Sequence, residues 1–214
     1  MNRYLLIIKN EVKEALSESK NLIFLLFVIF IASVVLGIIF HDAIYDSISP
    51  VIDNMVELGG SDNLTISLML NNIRANLLTY FLSILFAFMA FFSIIFNGLI
   101  IGVVGGTITA NDPSNWIMFL ALILPHGIFE IPSLVFSSAG GIFLFKFIFN
   151  TFKTLFKNNN TTLKESFLDS WDKNKSILKH SLVLLILSLL LMVIAGIIEG
   201  NFTLMFGKWI QSFF

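Results

Sequence analysis

The chain contains no cysteine. Disulfides and thiolate metal centres are therefore excluded, and cysteine usage leaves the redox compartment open. Charge is scarce as well, at 13% of the residues, against a soluble average of roughly 25%. Between His41 and Asn63 there is no Lys or Arg, while Asp42, Asp46, Asp53, Glu57 and Asp62 all fall there. No serine-histidine-acid triad, Walker loop, His-Glu-x-x-His motif or cysteine cluster is present. The expectation is a protein that is not an enzyme and carries no cofactor and no metal. A formal net charge of -1 gives no reason to expect nucleic acid as a partner.

Hydrophobic residues fill the space that charge leaves, at 57% of the chain with a mean hydropathy of +0.90. The lipid bilayer is the expected solvent, and residues 1–214 form a single integral membrane domain with no soluble domain left over. The fold class expected is all-α and polytopic. Residues 1–20 carry Leu5, Ile8, Val12 and Leu16 at helical spacing opposite Lys9, Lys13 and Glu14, which predicts an interfacial helix. Glu11, Glu14 and Glu18, with no Ala-x-Ala-like site after the apolar run, argue against a cleaved signal. Residues 22–40 are uninterrupted and long enough to cross about 30 Å of hydrocarbon.

Two further apolar stretches, 77–110 and 116–149, exceed one ordinary crossing of about 20 residues. The first is expected to break at Asn97-Gly98 and the second between Pro125 and Pro132. Asn111 to Asn115 reads as a turn. A basic segment at 150–176 includes a capping-box pair, Thr162 and Glu165, and an apolar side at Leu163, Phe167, Leu168 and Trp171, as an interfacial helix would. A last span covers 177–198, followed by a short aromatic tail.

Lys and Arg gather at Arg3, Lys9, Lys13 and Lys20 and again after Phe149. The positive-inside rule then places the N-terminus and the 150–176 segment in the cytoplasm, and the acidic 41–63 segment and the C-terminus outside a cell membrane. Passing from outside near Asn76 to inside near Asn150 takes an odd number of crossings. One long stretch must therefore cross twice or be re-entrant, and about five spans is the most economical total.

His126 and Glu130 lie between the two prolines, one helical turn apart and on one face. An ionisable side chain at the centre of a span costs about 2.5 to 3.5 kcal/mol on insertion scales, so such residues face protein or water. Pro125 and Pro132 cannot donate to the carbonyls of Ala121 and Ile128. Carbonyls freed beside a carboxylate, with Gly127 between, are materials for an ion or proton site. The amides of Asn72, Asn76 and Asn97 are the candidate partners. The alternative is that these polar groups only hold the bundle together. As a metal signal the His126/Glu130 pair alone has low specificity. Gly98, Gly102 and Gly106 recur every four residues, which predicts a close helix contact within the chain or across a homodimer.

Taken in order, Asn71-Asn72-Ile73-Arg74 before an apolar run, Asn97-Gly98 with Gly102, and Pro125-His126-Gly127-Ile128-Phe129-Glu130-Ile131-Pro132 followed by the small residues Ser137 to Gly141 resemble the stage II sporulation protein M family. The resemblance covers nearly the whole chain. It implies a polytopic membrane component that, in sporulating bacteria, recruits and organises peptidoglycan hydrolases during engulfment, with relatives in non-sporulating bacteria and archaea. Two functions follow as expectations. One is a non-enzymatic scaffold associating with itself or other membrane proteins. The other is a small transporter or channel for an ion, proton or small polar solute, built around Asn72, Asn97, His126 and Glu130.

Overall fold

In hydrocarbon the backbone has to satisfy its own hydrogen bonds. The computed structural model describes residues 3–59, 64–110, 112, 114–157 and 162–199, and among these residues it contains six helices and no strand. In chain order they are α1 (Arg3–Ile39), α2 (His41–Gly59), α3 (Leu64–Leu82), α4 (Phe88–Ala110), α5 (Asn115–Lys157) and α6 (Leu163–Ile198). By length and composition α1, α4, α5 and α6 are able to cross a membrane. The all-α polytopic fold is the one observed.

Contacts between helices fix their directions. Gly98 faces Phe30 and Ser33, Gly102 faces Val34 and Gly37, and Gly106 faces His41, so α1 and α4 run parallel. Ser133 meets Ser188, Gly140 meets Ser181 and Thr151 meets Ser170, which makes α5 and α6 antiparallel. Asn76 reaches Ser133 and Ser188, and Tyr80 reaches Ser181. Helix α3 therefore runs with α5 and against α6. Glu11 pairs with Lys179 and Glu14 with His180, so α1 rises beside α6. The result is five helices that alternate in direction, α1, α3, α4, α5 and α6, four of which, all but α3, are long and apolar enough to cross a membrane. Helix α3 carries Asn71, Asn72, Arg74 and Asn76 in its middle.

Both expected breaks are corrected. Asn97-Gly98 lies inside an unbroken α4, and α5 passes through Pro125 and Pro132 without ending. The break in 77–110 falls between Leu82 and Phe88, where Ile84 N–H donates to the Phe81 carbonyl and Leu85 N–H to that of Leu82. Ser83 Oγ donates to the Thr79 carbonyl at 2.7 Å. A proline deletes one backbone bond and crowds the preceding turn. Here α5 is packed along α6 for most of its length, and tertiary contact holds the helix through both.

The interfacial segments are also reorganised. Residues 1–20 and 22–40 share one helix of 37 residues, about 55 Å long at a rise of 1.5 Å per residue. Residues 150–157 finish α5 and those from Leu163 begin α6, which then runs on through the expected last span as one helix. The capping box forms: Glu165 N–H donates to Thr162 Oγ1 at 3.3 Å, and Thr162 N–H donates to Glu165 Oε2 at 3.1 Å. Between α4 and α5, Ser114 N–H donates to Asp112 Oδ1 at 2.8 Å, which holds the Asp112 carboxyl below the usual carboxylate range. Asn111 and Pro113 of that turn, and the tail from Gly200 onward, lie outside the described residues.

A core of Leu26, Phe30, Ile94, Leu134, Val135, Ala139, Phe143 and Leu184 ties α1, α4, α5 and α6 together. Beside it runs a layer of small polar residues. Asn76 is 2% exposed; its Nδ2 donates to Ser133 Oγ at 2.8 Å and to Ser188 Oγ at 3.2 Å. Ser137 Oγ donates to the Asn76 carbonyl at 2.6 Å and Ser133 Oγ to that of Ser188 at 2.7 Å. Ser181 Oγ donates to the Gly140 carbonyl and lies 2.7 Å from Tyr80 Oη. Small side chains let α3, α5 and α6 approach closely, and their hydroxyls satisfy one another where water is absent.

Candidate functional site

Above the core, towards the end of the bundle where α6 finishes, the helices separate around a cavity of about 330 Å³. Helix α5 supplies His126 and Glu130, whose positions one turn apart put Nε2 and Oε2 at 3.8 Å. Helix α3 supplies Asn71, Asn72 and Asn76, helix α4 supplies Asn97, and the C-cap of α6 is Glu199. The five polar residues singled out from sequence all border this one space. Phe30 and Leu134 belong to the dense core and close its floor, whereas Asn71 and Ala75 are exposed and mark its mouth.

The polar groups differ in how they are used. Asn76 commits its amide to the serines of α5 and α6, so it is the joint of three helices that also borders the cavity. Asn97 Nδ2 donates to the Ser93 carbonyl one turn back, at 2.9 Å. Gly127 opens onto the cavity; a side-chain carbon there would meet only Ile123 and Ile131 of its own helix. Pro125 and Pro132 do not line the space. Gly98, Gly102 and Gly106 are turned the other way, against α1. Their small-residue face is therefore used up within the chain.

Glu199 was not among the residues singled out. Its signal was there to read: a carboxylate directly after the apolar run ending at Ile198, at a helix C-terminus, where the macrodipole disfavours negative charge. Glu130, from α5, and Glu199, at the C-cap of α6, both border the cavity. Two carboxyls, an imidazole and several amides in an otherwise apolar lining form a site able to hold a cation or a polar solute carrying donors. Among the described residues no group of three or more His, Cys, Asp or Glu is spaced to hold a metal ion.

Comparison with known proteins places the chain beside proteins that lack an assigned role. The family model described as Stage II sporulation protein M matches residues 23–204. Uncharacterized protein MJ0706 of Methanocaldococcus jannaschii is 31% identical over 196 residues, covering 88% of this chain and 81% of the relative. Uncharacterized protein MJ0793 of the same organism is 37% identical over 138 residues, 64% of this chain and 69% of the relative. No solved structure matches the chain.

Proposed function

The chain belongs to the stage II sporulation protein M family, and on that premise we propose that it is a non-enzymatic membrane protein that binds a small cationic or polar solute in its intramembrane cavity, as a small transporter would. The observation that carries this reading is the gathering of Glu130, Glu199, His126, Asn72 and Asn97, from four helices of the chain, around one space closed below and open at α3. Groups of this kind are costly in a bilayer and are normally placed where a polar path or ligand offsets the cost. A bundle held only by packing would need no cavity beside them. With the floor formed by Phe30 and Leu134, the solute enters from the α6-terminal end, and release to the other side requires α1 and α5 to part.

Reconstitution in liposomes tests this. Wild type should carry a flux of sodium, potassium, protons or methylammonium, and Glu130→Gln should lose at least tenfold while keeping its melting temperature. Absence of flux for all four in wild type, or full flux in Glu130→Gln, would sink the reading. A second reading, an organiser of a membrane complex, is supported by family membership and by the apolar surface left bare on the far ends of α5 and α6.

A further inference from the structure

Resting on the organiser reading, and independently of the cavity, we propose that residues 145–156 of α5 form a docking face for an acidic amphipathic helix of a partner protein. Phe145, Phe149, Phe152 and Phe156 follow one another at helical spacing, with Phe145 stacked on Phe149 and Phe152 on Phe156. They lie opposite the side that meets α6, which is marked by Phe147 against Trp171 and Thr151 against Ser170. Phe149, Phe152 and Phe156 are 57%, 55% and 80% exposed. Three bare phenylalanines in one row are a patch that a soluble surface rarely keeps uncovered.

Depth along the bundle decides what can cover them. Gly141 meets Ser83, just past the end of α3, and Lys179, His180, Glu11 and Glu14 cluster at the neighbouring level of α1 and α6. Four ionisable side chains gathered at one level are costly in hydrocarbon, so the hydrocarbon ends no further out than this level. Phe156 lies about 22 Å further along an unbroken helix, whereas headgroups occupy only about 5 to 8 Å on each side. The outer half of the stripe therefore stands clear of lipid. Charge decides between partners. Over residues 142–157 there are three lysines, Lys146, Lys153 and Lys157, and no acid. The nearby acids of α6 are engaged locally, Asp169 with Lys173, Asp172 with Lys175, and Glu165 in the capping box as acceptor of the Thr162 N–H. A second copy would set lysine against lysine, while a helix with a leucine stripe and glutamate flanks matches both the ring row and the cations. Three turns of α5, about 16 Å, match three turns of such a helix.

The test uses full-length protein in phosphatidylcholine nanodiscs and two fluorescein-labelled synthetic helices, one with a leucine stripe flanked by glutamates and one flanked by lysines. Anisotropy should report binding of the glutamate helix only, weakened at least tenfold by Phe152→Ser with Phe156→Ser and by Lys153→Glu, with melting temperatures unchanged. No binding, or equal binding by the variants, overturns the face. Quenching of Phe156→Trp by brominated lipid would show that bilayer covers it, and disulfide dimers of Phe152→Cys that a second copy does; either result overturns it too. Crosslinking in cells separates the two levels. A complex that survives the double serine change rejects this face and keeps the organiser reading, and absence of any complex around wild type rejects both.

Discussion

An added side-chain carbon has no room at Gly102 of α4 and has room at Gly127 of α5. At Gly102 a side-chain carbon would overlap the Val34 carbonyl and stand 2.9 Å from the Gly37 Cα. Both are backbone atoms and cannot rotate aside. Gly102→Leu is expected to cost about 3 kcal/mol, the upper part of the usual range for over-packing, read as a lower unfolding midpoint in detergent. Gly127→Ala is the contrast, since the nearest atom to the added carbon is the Ile123 Cγ2 methyl at 3.3 Å, a side-chain contact that a shift of a few tenths of an ångström relieves. Its midpoint should stay within about 0.5 kcal/mol of wild type, and an equal loss at both glycines would mean that the α1–α4 approach is not the tight contact. Asn76 works by a different physics. Asn76→Ala removes two interhelical bonds, but Ser133 keeps its bond to the Ser188 carbonyl. At roughly 0.6 kcal/mol per bond in a membrane, the loss should be about 1 kcal/mol, and a loss as large as that of Gly102→Leu would show that the serine layer depends on the amide.

At the scale of elements, helix breakers did not break helices and a segment without breakers turned. Pro125 and Pro132 sit inside α5 because its packing along α6 outweighs two missing backbone bonds. Replacing Pro132 by Ala should restore the bond to Ile128 and raise stability by about 1 to 3 kcal/mol. A fall instead would show that the Ile128 carbonyl is already used. The turn after Leu82 has no proline or glycine in Ser83-Ile84-Leu85-Phe86-Ala87. It exists because Ser83 packs on Gly141 and α4 must return along α1, and both are contacts made at long range in the chain. Local pattern could not reveal it. What local pattern did reveal was whatever a helix encodes by itself: the capping box at Thr162, the shared face of His126 and Glu130, and the glycine row of α4. Parity of crossings implied an extra reversal but not its place. The cavity was half legible for the same reason. Scarce polar residues in apolar runs pointed to it, and Glu199 was missed because it lies at the edge of its run.

For the whole molecule, the alternation of α1, α3, α4, α5 and α6 brings distant charges to common ends. The start of α1, the end of α5 and the start of α6 meet at one end, joined by Glu11 with Lys179 and Glu14 with His180. Both basic clusters are thus on the same side, and α2, with Asp42 and Asp46 and no Lys or Arg, follows the opposite end of α1. The sequence separation of those basic clusters is long, so their meeting is a property of the fold and not of local composition. The positive-inside rule predicts that this basic end faces the cytoplasm, which would turn the cavity mouth outward. Because the chain has no cysteine, single introduced thiols report sidedness without background. In right-side-out vesicles, Asp46→Cys should react with an impermeant maleimide, while Lys9→Cys and Lys164→Cys should react only after the membrane is opened. If Lys9→Cys and Lys164→Cys react from opposite sides, the even count of four passes between them, α1, α3, α4 and α5, is wrong and α3 does not cross. If both react in sealed vesicles and Asp46→Cys does not, the five passes stand but the bundle is inverted, and the cavity would open to the cytoplasm.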